Sequence, residues 1–93
     1  MLPNKLLGFR AQLQDFVSEA GFCTFTITCK SPTAANNLIY YVLTIPHSQG
    51  MNIVMQNKKS KVFFNIAYPE STPIDEIKTI LRNIDEGAEQ WRK

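Results

Sequence analysis

The last quarter of the chain carries an apolar stripe at helical spacing, and this stripe limits what the chain can fold into. Apolar residues recur three or four positions apart, at Ile74, Ile77, Leu81, Ile84, Ala88 and Trp91. The spacing predicts an amphipathic helix whose apolar side needs a covering surface. It also suits a coiled-coil seam, but it lasts fewer than about three heptads. Packing on the chain's own sheet is therefore the favoured interpretation.

Residues around the start of this helix support it, and a similar pattern predicts another helix at the start of the chain. Thr72 is the predicted N-cap, Pro73 takes the first helical position, and Asp75 and Glu76 place negative charge at the helix N-terminus. The first helix is predicted from Pro3 to Ala20, with Gly21 ending it. Its apolar residues are Leu6, Phe9, Leu13, Phe16 and Ala20.

Four segments between the two helices are predicted to be strands. Residues 23–30 and 62–68 alternate between apolar and polar side chains, residues 51–57 alternate less regularly, and residues 38–45 are apolar on both faces. The inward-facing side chains are predicted to be Cys23, Phe25, Ile27, Cys29, Met51, Ile53, Met55, Val62, Phe64, Ile66 and Tyr68. Short connections favour antiparallel neighbours. The predicted fold class is α+β: a helix, a four-stranded antiparallel meander sheet and a helix, with both helices on one sheet face, in a single domain over residues 1–93.

The residues that would carry chemistry are few. Cys23 and Cys29 lie six residues apart on one predicted strand, about 20 Å, which is too far for a disulfide. With His47 as the one histidine and no CxxC motif, the sequence predicts no metal site and no cofactor. No acidic residue lies within twenty positions of His47, so no catalytic triad is predicted. We expect a protein that is not an enzyme.

Hydropathy and motifs add two expectations. No stretch reaches the roughly 18 to 20 apolar residues of a membrane span, so we expect a cytoplasmic protein with no membrane partner. No motif in the sequence identifies a protein family.

The charge distribution is the remaining functional signal. Between Gly21 and Pro69 the sequence has no acidic residue but four lysines. The uncovered sheet face is predicted to present two aromatic side chains beside these lysines. The predicted partner-binding residues are Lys30, Tyr40, Lys58, Lys59, Lys61 and Phe63.

This face suggests a small non-enzymatic protein-binding module that serves as an adaptor, an inhibitor or a subunit of a complex. Its partner is expected to be another protein with an acidic surface, which the lysines would steer into place. One alternative is an RNA or single-stranded nucleic-acid-binding protein, whose bases would stack on the aromatic rings. Another is a homodimer that buries this face. The lysine turn also suits a hairpin tip that only keeps the protein soluble.

Overall fold

A computed structural model describes residues 13–92 of the chain, which form a four-stranded antiparallel sheet and two helices. The α+β class is therefore confirmed. In chain order the elements are two strands, a helix, two strands and a helix. Their bounds are β1 Gln14–Glu19, β2 Phe22–Thr28, α1 Pro32–Leu43, β3 Asn52–Lys58, β4 Lys61–Ala67 and α2 Ile74–Ala88.

The strands lie in the order β1-β2-β4-β3, and every neighbouring pair is antiparallel. The predicted meander is wrong because β2 and β3, which follow one another among the strands, do not pair. The helix α1 intervenes between them, and β4 then folds back to pair with both. Consequently β2 and β4 form the centre of the sheet, and β1 and β3 form its edges.

The predicted first helix is wrong where the structure describes it. Residues 3–12 of that prediction lie outside the described residues, and Gln14–Glu19 is the strand β1. The physical reason lies at Gly21, whose φ of +89° suits a tight turn and is rarely adopted by other residues. The two residues after Glu19 turn the chain back, so that β1 finds its backbone partners on β2 and not within a helix.

Residues 38–45, predicted to be a strand, belong mostly to the helix α1. The Ser31 hydroxyl accepts a hydrogen bond from the Ala34 amide at 3.0 Å and caps the helix, and Pro32 occupies its first turn. The buried residues of α1 have helical spacing: Ala34, Ala35, Leu38 and Val42. Beyond the last turn, the Thr44 hydroxyl donates to the Tyr41 carbonyl at 2.6 Å.

The C-terminal helix is confirmed as α2, with one correction at its start. Pro73, and not Thr72, is the N-cap residue, and no side chain caps the helix there. Asp75 and Glu76 lie in the first turn as predicted. None of the helices within residues 13–92 is long and apolar enough to cross a membrane.

The core contains alternate residues of the central strands. Cys23, Phe25 and Ile27 of β2 are buried, as are Val62, Phe64 and Ile66 of β4, which confirms the predicted alternation on both strands. The rings of Phe25 and Phe64 stack with their centroids 4.8 Å apart. The same core cluster includes the buried residues of α1 and those of α2, which are Ile77, Ile80, Leu81, Ile84 and Ala88.

Candidate protein-binding face

The residues that alternate with the core residues of the sheet form a surface that we call the open face. Each of its side chains is exposed or only partly buried, whereas their neighbours along β2 and β4 are fully buried. By the strand register, the open face consists of Gln14, Val17, Glu19, Phe22, Thr24, Thr26, Thr28, Asn52, Val54, Gln56, Lys58, Lys61, Phe63, Asn65 and Ala67.

Four large apolar side chains of the open face are exposed to solvent: Val17, Phe22, Val54 and Phe63. Phe63 lies on the central strand β4 between Thr26 of β2 and Gln56 of β3. It nevertheless keeps 43% of its surface exposed. The centre of the open face is therefore apolar and neutral, with an aromatic ring at a position that neighbouring strands do not cover.

One end of the open face carries the lysines. Lys58 and Lys61 are cross-strand partners, and the turn between them consists of Lys59 and Ser60. Two like charges directly opposite each other on a sheet are destabilising unless an anion compensates them. Within residues 13–92, neither lysine forms an ion pair.

Lys30 is also at this end of the sheet. The amide of Cys29 donates to the carbonyl of Ser60 at 2.7 Å, which holds the chain just after β2 beside the lysine turn. The next amide, that of Lys30, donates to the carbonyl of Trp91 at 2.9 Å. The structure thus brings all four sequence-predicted lysines to one end of the sheet, where they are exposed.

The opposite end of the open face carries a carboxylate. Glu19 is the last residue of β1, pairs with Phe22 and is exposed. Its backbone carbonyl accepts a hydrogen bond from the Tyr68 hydroxyl at 3.4 Å, which ties the end of β1 to the segment after β4. The open face therefore has opposite charges at its two ends.

Tyr40 does not belong to this face, so the prediction that grouped it with Phe63 is wrong. Tyr40 lies on α1 and is 69% exposed, close to Leu43, which is also exposed. The interpretation of residues 38–45 as a strand places Tyr40, and with it Val42 two residues later, on the open face. In the structure Val42 is instead a core residue of α1.

Sequence reasoning missed four residues of the open face: Gln14, Val17, Glu19 and Phe22. The predicted first helix includes Gln14, Val17 and Glu19, and the predicted strand begins at Cys23, one residue after Phe22. A usable signal was present in the glycine at position 21, because a two-residue connection containing glycine between two runs of β-forming residues is typical of a hairpin.

The remaining reactive side chains do not form a second site. Burial raises the pKa of the Cys23 thiol to about 12, and burial also raises the pKa of Cys29, although the charge of Arg92 acts in the opposite direction. Thiols with raised pKa values are poor nucleophiles at neutral pH. Among the described residues, no group of three or more histidine, cysteine, aspartate and glutamate side chains could hold a metal ion.

Comparison of this chain with protein-family models, with curated proteins and with solved structures finds no match.

Proposed function

We propose that this protein is a small non-enzymatic binding module whose open face docks against another protein. The observation that carries the proposal is the lysine pair of β3 and β4, Lys58 and Lys61, beside the exposed ring of Phe63. An exposed aromatic residue suits the apolar centre of a protein interface, and charges at its rim suit an oppositely charged partner surface. The expected partner has an apolar patch bordered by carboxylates.

We also infer that both helices lie on the same side of the sheet, which leaves the open face without a cover. Two observations support this inference. The buried residues of α1 and of α2 belong to the same cluster as Phe25 and Phe64. No residue of the open face is fully buried by the described part of the chain.

A protein partner fits this face better than a nucleic acid does. The carboxylate of Glu19 shares the face with the lysines and would repel phosphates at that end. Tyr40, one of the two rings expected to stack on bases, lies on α1. Apolar aliphatic residues such as Val17 and Val54 bury well against protein but offer no stacking surface for bases.

A photo-crosslinking amino acid at position 63 tests this function, with the same amino acid at position 40 as the matched control. Both positions carry exposed aromatic side chains, but only position 63 lies on the open face. In an extract of the native source, we expect position 63 to crosslink to one defined protein, identified by mass spectrometry, and position 40 to give only background. Crosslinking of position 63 to nucleic acid, or no excess over position 40, would overturn the proposal.

A further inference from the structure

The two ends of the open face are complementary to each other. Glu19 and Phe22 lie at one end, and Lys58 and Lys61 lie at the other. The paired residues of the rows between them are uncharged: Val17, Thr24, Asn65 and Val54 in one row, and Gln14, Thr26, Phe63 and Gln56 in the next. One charged residue lies beside these rows, the exposed Asp15 in the bulge of the edge strand β1 between Gln14 and Val17. When two copies of such a surface meet in reversed orientation, the negative end of each copy faces the positive end of the other.

We propose that the open face binds a second copy of this chain, with the strands of the two copies running in opposite directions across the interface. This inference rests on the proposed function and names the partner of the same face. The acidic surface that the lysines meet is then the Glu19 end of the other copy.

The charges select one of the two ways in which identical sheets can stack about a two-fold axis. If the axis runs along the strands, like ends meet, and Lys58 and Lys61 of both copies come together. If the axis runs across the strands, the Glu19 end of each copy faces the lysine end of the other. Because like charges across an interface are strongly unfavourable and opposite charges are favourable, the second arrangement is preferred.

The strand order sets how closely these charges approach. With the axis across the strands, β1 of one copy lies over β1 of the other, and β4 lies over β4. The strand end directly opposite Glu19 is then the Gln14 end of β1, which also carries the exposed Asp15, and the lysines lie to one side of it. Glu19 on β1 and Lys61 on β4 are two strands apart, a lateral offset of about 10 Å. This is within the reach of their flexible side chains, and it slightly exceeds the Debye length of about 8 Å at physiological ionic strength. Each dimer contains this contact twice.

The same arrangement places the neutral rows over each other. The row of Phe63 faces the row of Asn65, so the two copies of Phe63 lie close to the two-fold axis. Neither row contains a charged residue, and the charges stay at the rim of the interface. This distribution fits a protein interface, in which an apolar centre is surrounded by a polar border.

The size of the face predicts a reversible dimer. Four strands of about seven residues cover roughly 19 by 23 Å, which is about 900 Å² of projected area for two copies. The accessible surface of a face covered by side chains exceeds its projected area, so the buried surface falls near the roughly 1,200 Å² at which interfaces of standard size begin, and weak or transient complexes lie at that end of the range. We therefore expect a dissociation constant on the order of micromolar.

Sedimentation equilibrium of the full chain tests the dimer. We expect the mass to rise from monomer to dimer with concentration, and Phe63→Ser to weaken dimerisation by at least about tenfold. Tyr40→Ser is the matched control, because it removes an exposed aromatic ring outside the open face, and it should dimerise like the original chain. Val54→Ser gives a second test at an edge strand, and circular dichroism verifies that each variant is folded.

Charge reversal tests the orientation. Glu19→Lys and Lys61→Glu should each weaken dimerisation by about tenfold, because each change creates two repulsive contacts by symmetry. The double variant, which exchanges the two charges, should restore it. Glu86→Lys, at an exposed position of α2, makes the same change in net charge as Glu19→Lys and should have no effect.

Several results would overturn the inference. A chain that remains monomeric at about 1 mM has no dimer of useful affinity. A dimer that Tyr40→Ser weakens but Phe63→Ser does not uses α1 instead. A double charge variant that stays monomeric excludes the reversed orientation. Crosslinks from position 63 to a different protein, with a monomeric chain, would overturn this inference while supporting the proposed function; crosslinks to neither would overturn both.

Discussion

Cys23 is a titratable side chain without access to solvent, and its burial makes stability depend on alkaline pH. The pKa of its thiol rises from 9.0 to about 12 in the folded chain. Above about pH 9 the unfolded chain loses this proton and the folded chain keeps it, so stability that is complete below that pH is lost as the pH rises towards 12. Cys23 alone contributes a slope of up to about 1.4 kcal/mol per pH unit.

Urea unfolding at about pH 8 and about pH 10.5 measures this slope. In Cys23→Ala the free energy of unfolding is lower at both pH values, but it should fall less between them. The raised pKa values of Cys29 and Tyr68 add slopes of the same sign, and these remain in the variant. Equal slopes in the two proteins would contradict the assignment to Cys23.

Gly87 is the residue that lets the two helices approach each other. The ring of Tyr41 lies where a Cβ atom at position 87 would be, its hydroxyl donates to the Asn83 carbonyl at 3.3 Å, and its centroid is 5.7 Å from the Trp91 ring. At a solvent-exposed position inside a helix, replacing glycine by alanine stabilises the folded protein by about 1 kcal/mol. Here we expect Gly87→Ala to lower the free energy of unfolding by about 1–3 kcal/mol, because the added methyl group overlaps the ring.

A double-mutant cycle separates the overlap from other effects. In a Tyr41→Leu background, Gly87→Ala should cost less than it does in the original chain, because the ring that it meets is gone. Glu86→Ala is the neighbouring control and should change stability by less than about 0.5 kcal/mol. An equal cost of Gly87→Ala in both backgrounds would show that the Tyr41 ring is not the cause.

The helix α1 is, with the strand β1, one of the two elements that the sequence pattern predicts wrongly, and for α1 the physical reason is a short apolar run that fits two structures. The eight mostly apolar residues 38–45 fit an interior strand as well as a buried helix, since neither structure requires apolar and polar side chains to alternate. The deciding signal lies before the run: Ser31 followed by Pro32 is a helix start. The regular alternation of β2 and β4, by contrast, fits only a strand, and both were predicted correctly.

The helix starts give a matched pair of variants. Ser31→Ala should lower the free energy of unfolding by about 1 kcal/mol, because it removes the hydroxyl that accepts from the Ala34 amide. Thr72→Ala should change it by less than about 0.5 kcal/mol, since no side chain caps α2. Chemical denaturation measures both. The reverse order of effects would support the interpretation from sequence, in which Thr72 was the cap.

The candidate site was predictable where it depends on local pattern and not where it depends on pairing. The lysines and Phe63 follow from the alternation of one strand and the turn before it. Glu19 belongs to the open face only because β1 pairs with β2. The spacing of Phe9, Leu13 and Phe16 instead predicts a helix in this part of the chain. Without Glu19 the face is merely basic. The opposite charges at the two ends of the face can be recognised only when the strand order is known.

At the scale of the whole molecule, the distribution of charge matters more than its total. A net charge of +2 repels two copies only weakly, whereas the open face carries its charges at separate ends. If the copies meet in reversed orientation, added salt screens attractive contacts. Raising sodium chloride from about 50 mM to about 500 mM should then weaken the dimer several-fold.

This salt dependence should disappear in a variant that neutralises the attractive contacts, Lys58→Gln with Lys61→Gln, while Lys78→Gln on α2 should retain it. If the two copies instead met with like ends together, salt would screen repulsion between the lysines, and the dimer would become stronger as salt increased. The direction of the change in dissociation constant therefore distinguishes the two stacking arrangements without a structure of the dimer, because the same residues occupy the rim in both.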